Sequence, residues 1–379
     1  MRQSIPAVFM RGGTSKALMF HSRDLPDDQS QWAALFSAAM GSPDEYGRQL
    51  DGMGGGVSSL SKVCVLAPSS RPAIDVDYTF AQVQVKSPTV DYRSNCGNMS
   101  SAVGPFWLDE GRVEADGDSI TVRIFNTNTA KVIHSTFPVE DGRARYAGDL
   151  AIPGVSGSGA PIRLDFLDPG GATTGHLLPS GNVTDHLAID GLGELAVSLV
   201  DAANATVFVR ARDVGLTGLE LPTDLEARPD VLELLERIRQ AASVRMGISA
   251  DVAAAARTAS VPFICLVSPP TDTPTLAGAL IHRDDADVLA RALSNGQPHR
   301  ALPLTVSLCL GVAARITGSV VAEALSPATA EQLIRIAMPS GVLGVNARVT
   351  HDADQWVAHA GTFYRTARRL FDGRVWLRE

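Results

Sequence analysis

Two residues stand in settings that suit proton transfer. Cys96 lies in SNCGNMSSAVGPF (94–106), where Gly97 and Asn98 tolerate a tight turn and small helix-compatible residues follow. A thiol at a turn leading into a helix faces unpaired N–H groups and the positive end of the helix dipole, and both favour the thiolate. The same donors bind a substrate carboxylate. A small buried cysteine beside a turn is the other reading of this pattern. Lys62 sits in the apolar run Ser61–Leu66, after the glycine-rich stretch DGMGGG (51–56). A lysine in an apolar strand loses solvation, which disfavours the ammonium and makes the amine usable as a general base. An edge lysine that snorkels to solvent fits the same run. The glycines before it allow close backbone approach to a ligand.

Further segments offer anion binding. In MRGGTSK (10–16) two glycines separate Arg11 from Thr14, Ser15 and Lys16, so that a guanidinium, two hydroxyls and exposed N–H groups form a carboxylate cradle. The GxxxxGK[ST] spacing of a phosphate loop is absent. A surface turn is the plainer reading. Pro298-His299-Arg300, before an apolar helix, invites a role for Arg300 as an anion clamp.

Short elements must position these residues. Ala7–Phe9, Ser61–Leu66, Asp75–Asp77, Ala81–Lys86, Thr121–Asn126 and Thr206–Arg210 read as strands from branched or alternating side chains. Helices are expected over Gln31–Met40, Met99–Leu108, Asp230–Ala242 and Leu304–Ile316. Loops are expected over Gly154–Gly159 and Pro179–Asn182, and a turn at Asp372-Gly373 within the strand-like Gly361–Glu379. Strands, a glycine-rich turn and an apolar helix recur in both halves, which suggests a duplicated unit. The expected architecture is α+β: two similar lobes, residues 1–182 with 362–379 and residues 183–361, with the ligand in the cleft between them.

Composition narrows the function. The 379 residues suffice for two domains, and 45% apolar with 20% charged residues is a globular balance. Net charge is −8 and the arginines are scattered, so no basic stripe for nucleic acid is present. Cys64, Cys96, Cys265 and Cys309 are far apart, without the spacing of a zinc site or a disulfide framework. MRQSIPAVFMRGG lacks the apolar stretch of a signal peptide, and prolines break the least charged stretch, Thr258–Ile281. A reduced cytoplasm is the expected location, with no metal, membrane or nucleic-acid partner; a homodimer is left open.

Together the segments resemble the PrpF-like family of carbon–carbon double-bond isomerases. That family includes 2-methylaconitate cis-trans isomerases, 4-oxalomesaconate tautomerases and 3-methylitaconate isomerases, and it is similar in fold to diaminopimelate epimerase. The matching pieces run in order along nearly the whole chain: PAVFMRGGTSK (6–16), SKV (61–63), DVDYTFAQV (75–83), SNCGNMSSAVGPF (94–106), VRIFNTN (122–128), YAGD (146–149), LLPSGN (177–182), PHRA (298–301), MPSG (338–341) and RTARRLFDG (365–373). The resemblance implies two lobes, each a curved sheet around a central helix, and no cofactor. It implies Lys62 and Cys96 as the acid/base pair. It also implies a set that binds a small anionic carboxylate: Arg11, Thr14, Ser15, Lys16, Gly55, Asn95, Gly97, Asn98, Met99, Arg300, Ser340 and Gly341.

The implied chemistry suits those residue types. A proton on a carbon allylic to C=C and next to carboxylates becomes removable when cations and N–H donors hold the dienolate. Lys62 is assigned as base and Cys96 as proton donor, with the reverse left open. Two departures from the family pattern stand out, Ala17 where many relatives have glycine and Trp107 where a small residue is common. Diaminopimelate epimerase uses one cysteine from each lobe, whereas Cys309 falls one helical turn too late in LTVSLC (304–309) to match its second. That disfavours a two-base epimerase. A carboxylate-binding protein without activity is the third reading.

Overall fold

Period-two alternation decides how the first unit is built. β1 (Ser4–Gly12) and β2 (Ser15–His21) form a hairpin closed by Gly12 opposite Ser15. β3 (Lys62–Pro68) pairs parallel to β2, with Ala17 opposite Lys62, so the chain must cross over between them. The crossover contains α1 (Trp32–Met40). Leu18, Phe20, Val63, Val65 and Ala81 pack with Phe36 and Met40 of α1 in one core cluster. The alternate residues Ser15, Ala17, Met19, Lys62 and Cys64 therefore face the other way.

β4 (Val76–Val83) pairs antiparallel to β3, from Pro68 opposite Val76 to Lys62 opposite Gln82, and β5 (Val90–Asp91) continues its edge. α2 (Gly97–Asp109) then leads to β6 (Ser119–Asn126), which lies parallel to β4. β7 (Lys131–Glu140), β8 (Arg143–Ala144) and β9 (Ile162–Leu167) follow, and the C-terminal strand Ala367–Trp376 pairs with β1. α2 is buried from Met99 through Leu108 and touches β1, β2, β6, β7 and β9, as expected for a helix apolar on every side. Gly104 permits that approach: a Cβ there would meet Phe137 and Ser135 of β7 at 2.7 Å. Each large apolar side chain so buried, such as Phe106, contributes roughly 1.5–3 kcal/mol.

These elements occur in a computed structural model that describes residues 4–92, 96–326, 333–353 and 355–378. The first unit comprises Met1–Leu167 with Tyr364–Glu379 and the second Asp168–Phe363. The second unit has the same plan. One face of its strands packs Leu187, Val197, Val207 and Leu266 against Val231, Leu235, Ile238 and Ala242 of the amphipathic helix Pro229–Arg245. The apolar helix Leu304–Ala313 lies along strands Gly193–Ala202, Asn204–Arg210 and Gly341–Asp352.

Local expectations are altered in four places. The two strands expected over Asp75–Asp77 and Ala81–Lys86 are one, Val76–Val83, because pairing with β3 runs unbroken through Tyr78 and Phe80. The apolar helix stops at Ala313 rather than Ile316. Asp372-Gly373 is no turn: it continues the C-terminal strand, held opposite Val8 and Ala7 of β1, so long-range pairing overrides turn propensity. Asp168–Asn182 goes with the second unit, where the Asp201 carboxylate accepts from the Thr173 and Thr174 N–H groups.

Candidate active site

Cys96 is the residue that starts α2. Its backbone is extended, its carbonyl accepts from Ser100, and its side chain makes no capping bond, so the thiol is not consumed in holding the helix. The Sγ lies 4.0 Å from the Oγ of Ser15, itself only 2% exposed. The β1–β2 turn brings Ser15 there. A Cβ on Gly12 would come within 2.6 Å of the Asn98 carbonyl, and one on Gly13 (φ +52°) within 2.2 Å of Asn98 Oδ1. Asn98 ties the junction together: its Nδ2 donates to Thr14 Oγ1 at 3.1 Å and its Oδ1 accepts from Arg365 Nε at 3.2 Å. Burial pushes the Arg365 guanidinium down to about 10. Gly97 and Met99 are buried under the same turn.

Lys62 opens β3 and is 8% exposed. Its Nζ donates to Gln82 Oε1 at 2.5 Å and stands 4.9 Å from the centre of the Phe80 ring. Gln82 in turn donates from Nε2 to the carbonyls of Ser58 (3.0 Å) and Ser61 (2.9 Å). Next to it, Gln49 donates to Ser42 Oγ and Ser61 Oγ and accepts from the Gly56 N–H. The glycine run therefore closes around the protein's own Gln49 side chain, with Gly54 in tight contact with it. Gly55 is exposed and donates its N–H to the Leu60 carbonyl.

The acid/base candidates converge on one thiol. Burial pushes Cys64 up; Cys96 adds to that, while the Tyr78 hydroxyl and Lys62 oppose it. Lys62 and Cys96 thus both act electrostatically on the same buried side chain. Ser15 and Lys62 also share a sheet face, since Ala17, two residues after Ser15, is the register partner of Lys62. Ala17 is fully buried at that contact, and Trp107 fills core beside His21.

The remaining expected site residues have settings of their own. Arg11 and Lys16 are register partners on the sheet face that carries Phe9, opposite to Ser15. Lys16 Nζ stands 5.6 Å from the Phe9 ring centre, and Arg11 Nη1 donates to the carbonyls of Gly13 and Thr366 and to Thr366 Oγ1. Asn95 lies outside the described residues. Arg300, Ser340 and Gly341 belong to the second unit. Arg300 is exposed after His299, which shares a hydrogen bond with Ser294. Ser340 and Pro339 form the turn before Gly341 (φ +136°), and the Ser340 Oγ is buried with no hydrogen-bond partner among the described residues.

Gln82 and Arg365 escaped the sequence reading. Gln82 is an ordinary polar position in DVDYTFAQV until strand register sets it opposite Lys62, and Arg365 is one of three arginines in RTARRLFDG. Among the described residues no three His, Cys, Asp or Glu side chains cluster as a metal-ligand set, and no helix is long and apolar enough to cross a membrane.

Known proteins resemble the chain over nearly its whole length. The chain is 40% identical to the 3-methylitaconate isomerase of Eubacterium barkeri over 98% of its length and 97% of the relative's. It is 40% identical to the (4E)-oxalomesaconate Delta-isomerase of a Novosphingobium species (99% and 98% covered). With the 2-methyl-aconitate isomerase of Shewanella oneidensis it shares 36% (98% and 96% covered). The crystal structure of a methylitaconate-delta-isomerase superposes with a TM-score of 0.91 at 40% identity, covering 99% of this chain and 96% of that one. A hydroxyproline epimerase at 13% identity (TM-score 0.53, 100% and 95% covered) shares the fold alone. The α+β, diaminopimelate epimerase-like fold expected from the sequence is the fold found. Residues 2–378 match the model of the PrpF protein family. The chain is an enzyme, an isomerase belonging to the PrpF protein family.

Proposed function

We propose that the chain isomerises a C=C bond in a small unsaturated di- or tricarboxylate, such as methylitaconate, methylaconitate or oxalomesaconate, with Lys62 and Cys96 as the acid/base pair. The observation that carries the assignment is their common neighbourhood. Lys62 is buried on the face shared with Ser15, Cys96 touches Ser15 at the start of α2, and both act on Cys64.

The Lys62 amine takes the proton from the carbon allylic to C=C, and that C–H electron pair spreads into a dienolate on the adjoining carboxylate. The Cys96 thiol returns a proton at the vinylogous carbon, which moves the double bond. Return at the original carbon after bond rotation exchanges cis for trans. Proton transfer from the Lys62 ammonium to the Cys96 thiolate through solvent restores the pair. N–H groups at the start of α2 and the Asn98 amide supply donors to the developing charge. No step calls for a metal or organic cofactor. The four free thiols suit a reduced cytoplasm. A two-cysteine epimerase finds no support, because Cys309 is buried inside its helix with its thiol pushed up to about 12 by that burial.

The test is proton NMR in D2O with methylitaconate, methylaconitate, oxalomesaconate and aconitate. Deuterium entry with double-bond migration or geometric change is expected for at least one. Exchange only at a saturated stereocentre, or binding without exchange, would overturn the reading.

A further inference from the structure

The geometry points to Gln82 as the residue that positions Lys62, serving as a neutral acceptor that aims the amine and keeps a carboxylate away from it. The inference rests on the reading of Lys62 as the base.

Three observations support it. The orientation of the Gln82 amide is dictated from the far side. Its Nε2 donates to the Ser58 and Ser61 carbonyls, so Oε1 is the atom left for Lys62. A flipped amide would set its nitrogen against Nζ and its oxygen against two carbonyls. The backbone is equally determined, because Lys62 and Gln82 are register partners on β3 and β4. Finally, Gln82 stands between two charges in the ladder: Lys62 on β3, Gln82 on β4 and Asp91 on β5 are successive partners. Neighbouring strands are about 4.8 Å apart, so Asp91 is two strands, roughly 10 Å, from Lys62 in the backbone. Among the described residues, Lys62 also acts on Cys64 of β3, which in turn faces Tyr78 of β4 and the charge of Cys96 at the start of α2.

An amide oxygen accepts a hydrogen bond from the amine and from the ammonium alike, so Lys62 stays aimed while it gains and loses a proton. A carboxylate in the same place would favour the ammonium and withdraw the base.

The experiment compares kcat and KM across pH for the wild type, Lys62→Ala, Gln82→Glu and Gln82→Met, on whichever substrate of the NMR panel exchanges. Gln82→Glu is expected to move the acid limb of the kcat/KM profile upward by about one pH unit, a loss of about 10-fold along that limb that is recovered in base. Gln82→Met, close in volume, is expected to lower kcat about 10-fold or more with KM within about 3-fold. It also stands in where Gln82→Glu fails to fold, as judged by thermal melting. An inactive Lys62→Ala beside a folded Gln82→Glu with a wild-type pH profile, or beside Gln82→Met with wild-type kcat, overturns the role of Gln82 alone. An active Lys62→Ala overturns the base assignment and the inference with it.

Discussion

Cys96 Sγ and Ser15 Oγ lie 4.0 Å apart across 81 residues of chain. The contact exists because the β1–β2 turn has no side chains at Gly12 and Gly13 and settles on the first turn of α2. A reactive-looking thiol at a helix start is thereby joined to a strand whose next neighbour carries Lys62.

If Cys96 transfers a proton, Cys96→Ser and Cys96→Ala should each lose about 10²–10⁴-fold in kcat. Melting temperature should hardly change, because the thiol makes no capping bond to lose. Steady-state kinetics beside thermal melts check both parts.

Gly13→Ala should destabilise the protein by about 1–3 kcal/mol and reduce activity together. The new methyl would sit 2.2 Å from Asn98 Oδ1 at φ +52°, lifting the turn from Cys96. Gly111→Ala is the control: its φ is +64°, with nothing within 4 Å of a Cβ. Denaturant unfolding should find backbone strain alone there, with activity unchanged.

Glu110 makes stability depend on pH at the far end of α2. Burial raises its carboxyl, but hydrogen bonds from His21 and Arg369 outweigh that and hold it below its ordinary value of 4.5. The folded state therefore binds this proton less tightly than the unfolded chain. Its stabilisation is fully present above 4.5 and is lost as pH falls through the lower folded value. Glu110→Gln should melt below wild type near neutral pH, and the two should converge in acid; a constant difference across the range would contradict this.

Ser340→Ala separates a ligand donor from a structural hydroxyl. The Oγ is buried and has no partner among the described residues, so its removal should leave stability equal or higher. A hydroxyl that binds substrate should, when lost, raise KM about 5–10-fold, since one such hydrogen bond is worth about 1 kcal/mol. Unchanged KM would exclude Ser340 from substrate binding.

Much of this was legible in the chain itself. The small residues after Cys96 mark it as the start of a helix, a local signal, whereas the apolar run around Lys62 suited a buried and an edge lysine alike, and the fold buries it. The family segments are legible for the same reason. The grouping of Arg11 with Ser15 in one cradle was a local inference of another kind, and the pleat separates them onto opposite faces.

By itself, then, the sequence determined that a helix-start thiol and a strand lysine exist, within a chain of PrpF type. Tertiary structure alone decided what each one meets. Register sets Gln82 against Lys62, and close packing at two glycines sets Ser15 against Cys96. The C-terminal strand returns beside β1 and brings Arg365 to Asn98. The physical reason is that a strand's partners are chosen by hydrogen bonding and burial between segments far apart, and a shift of one residue would turn every side chain to the other face.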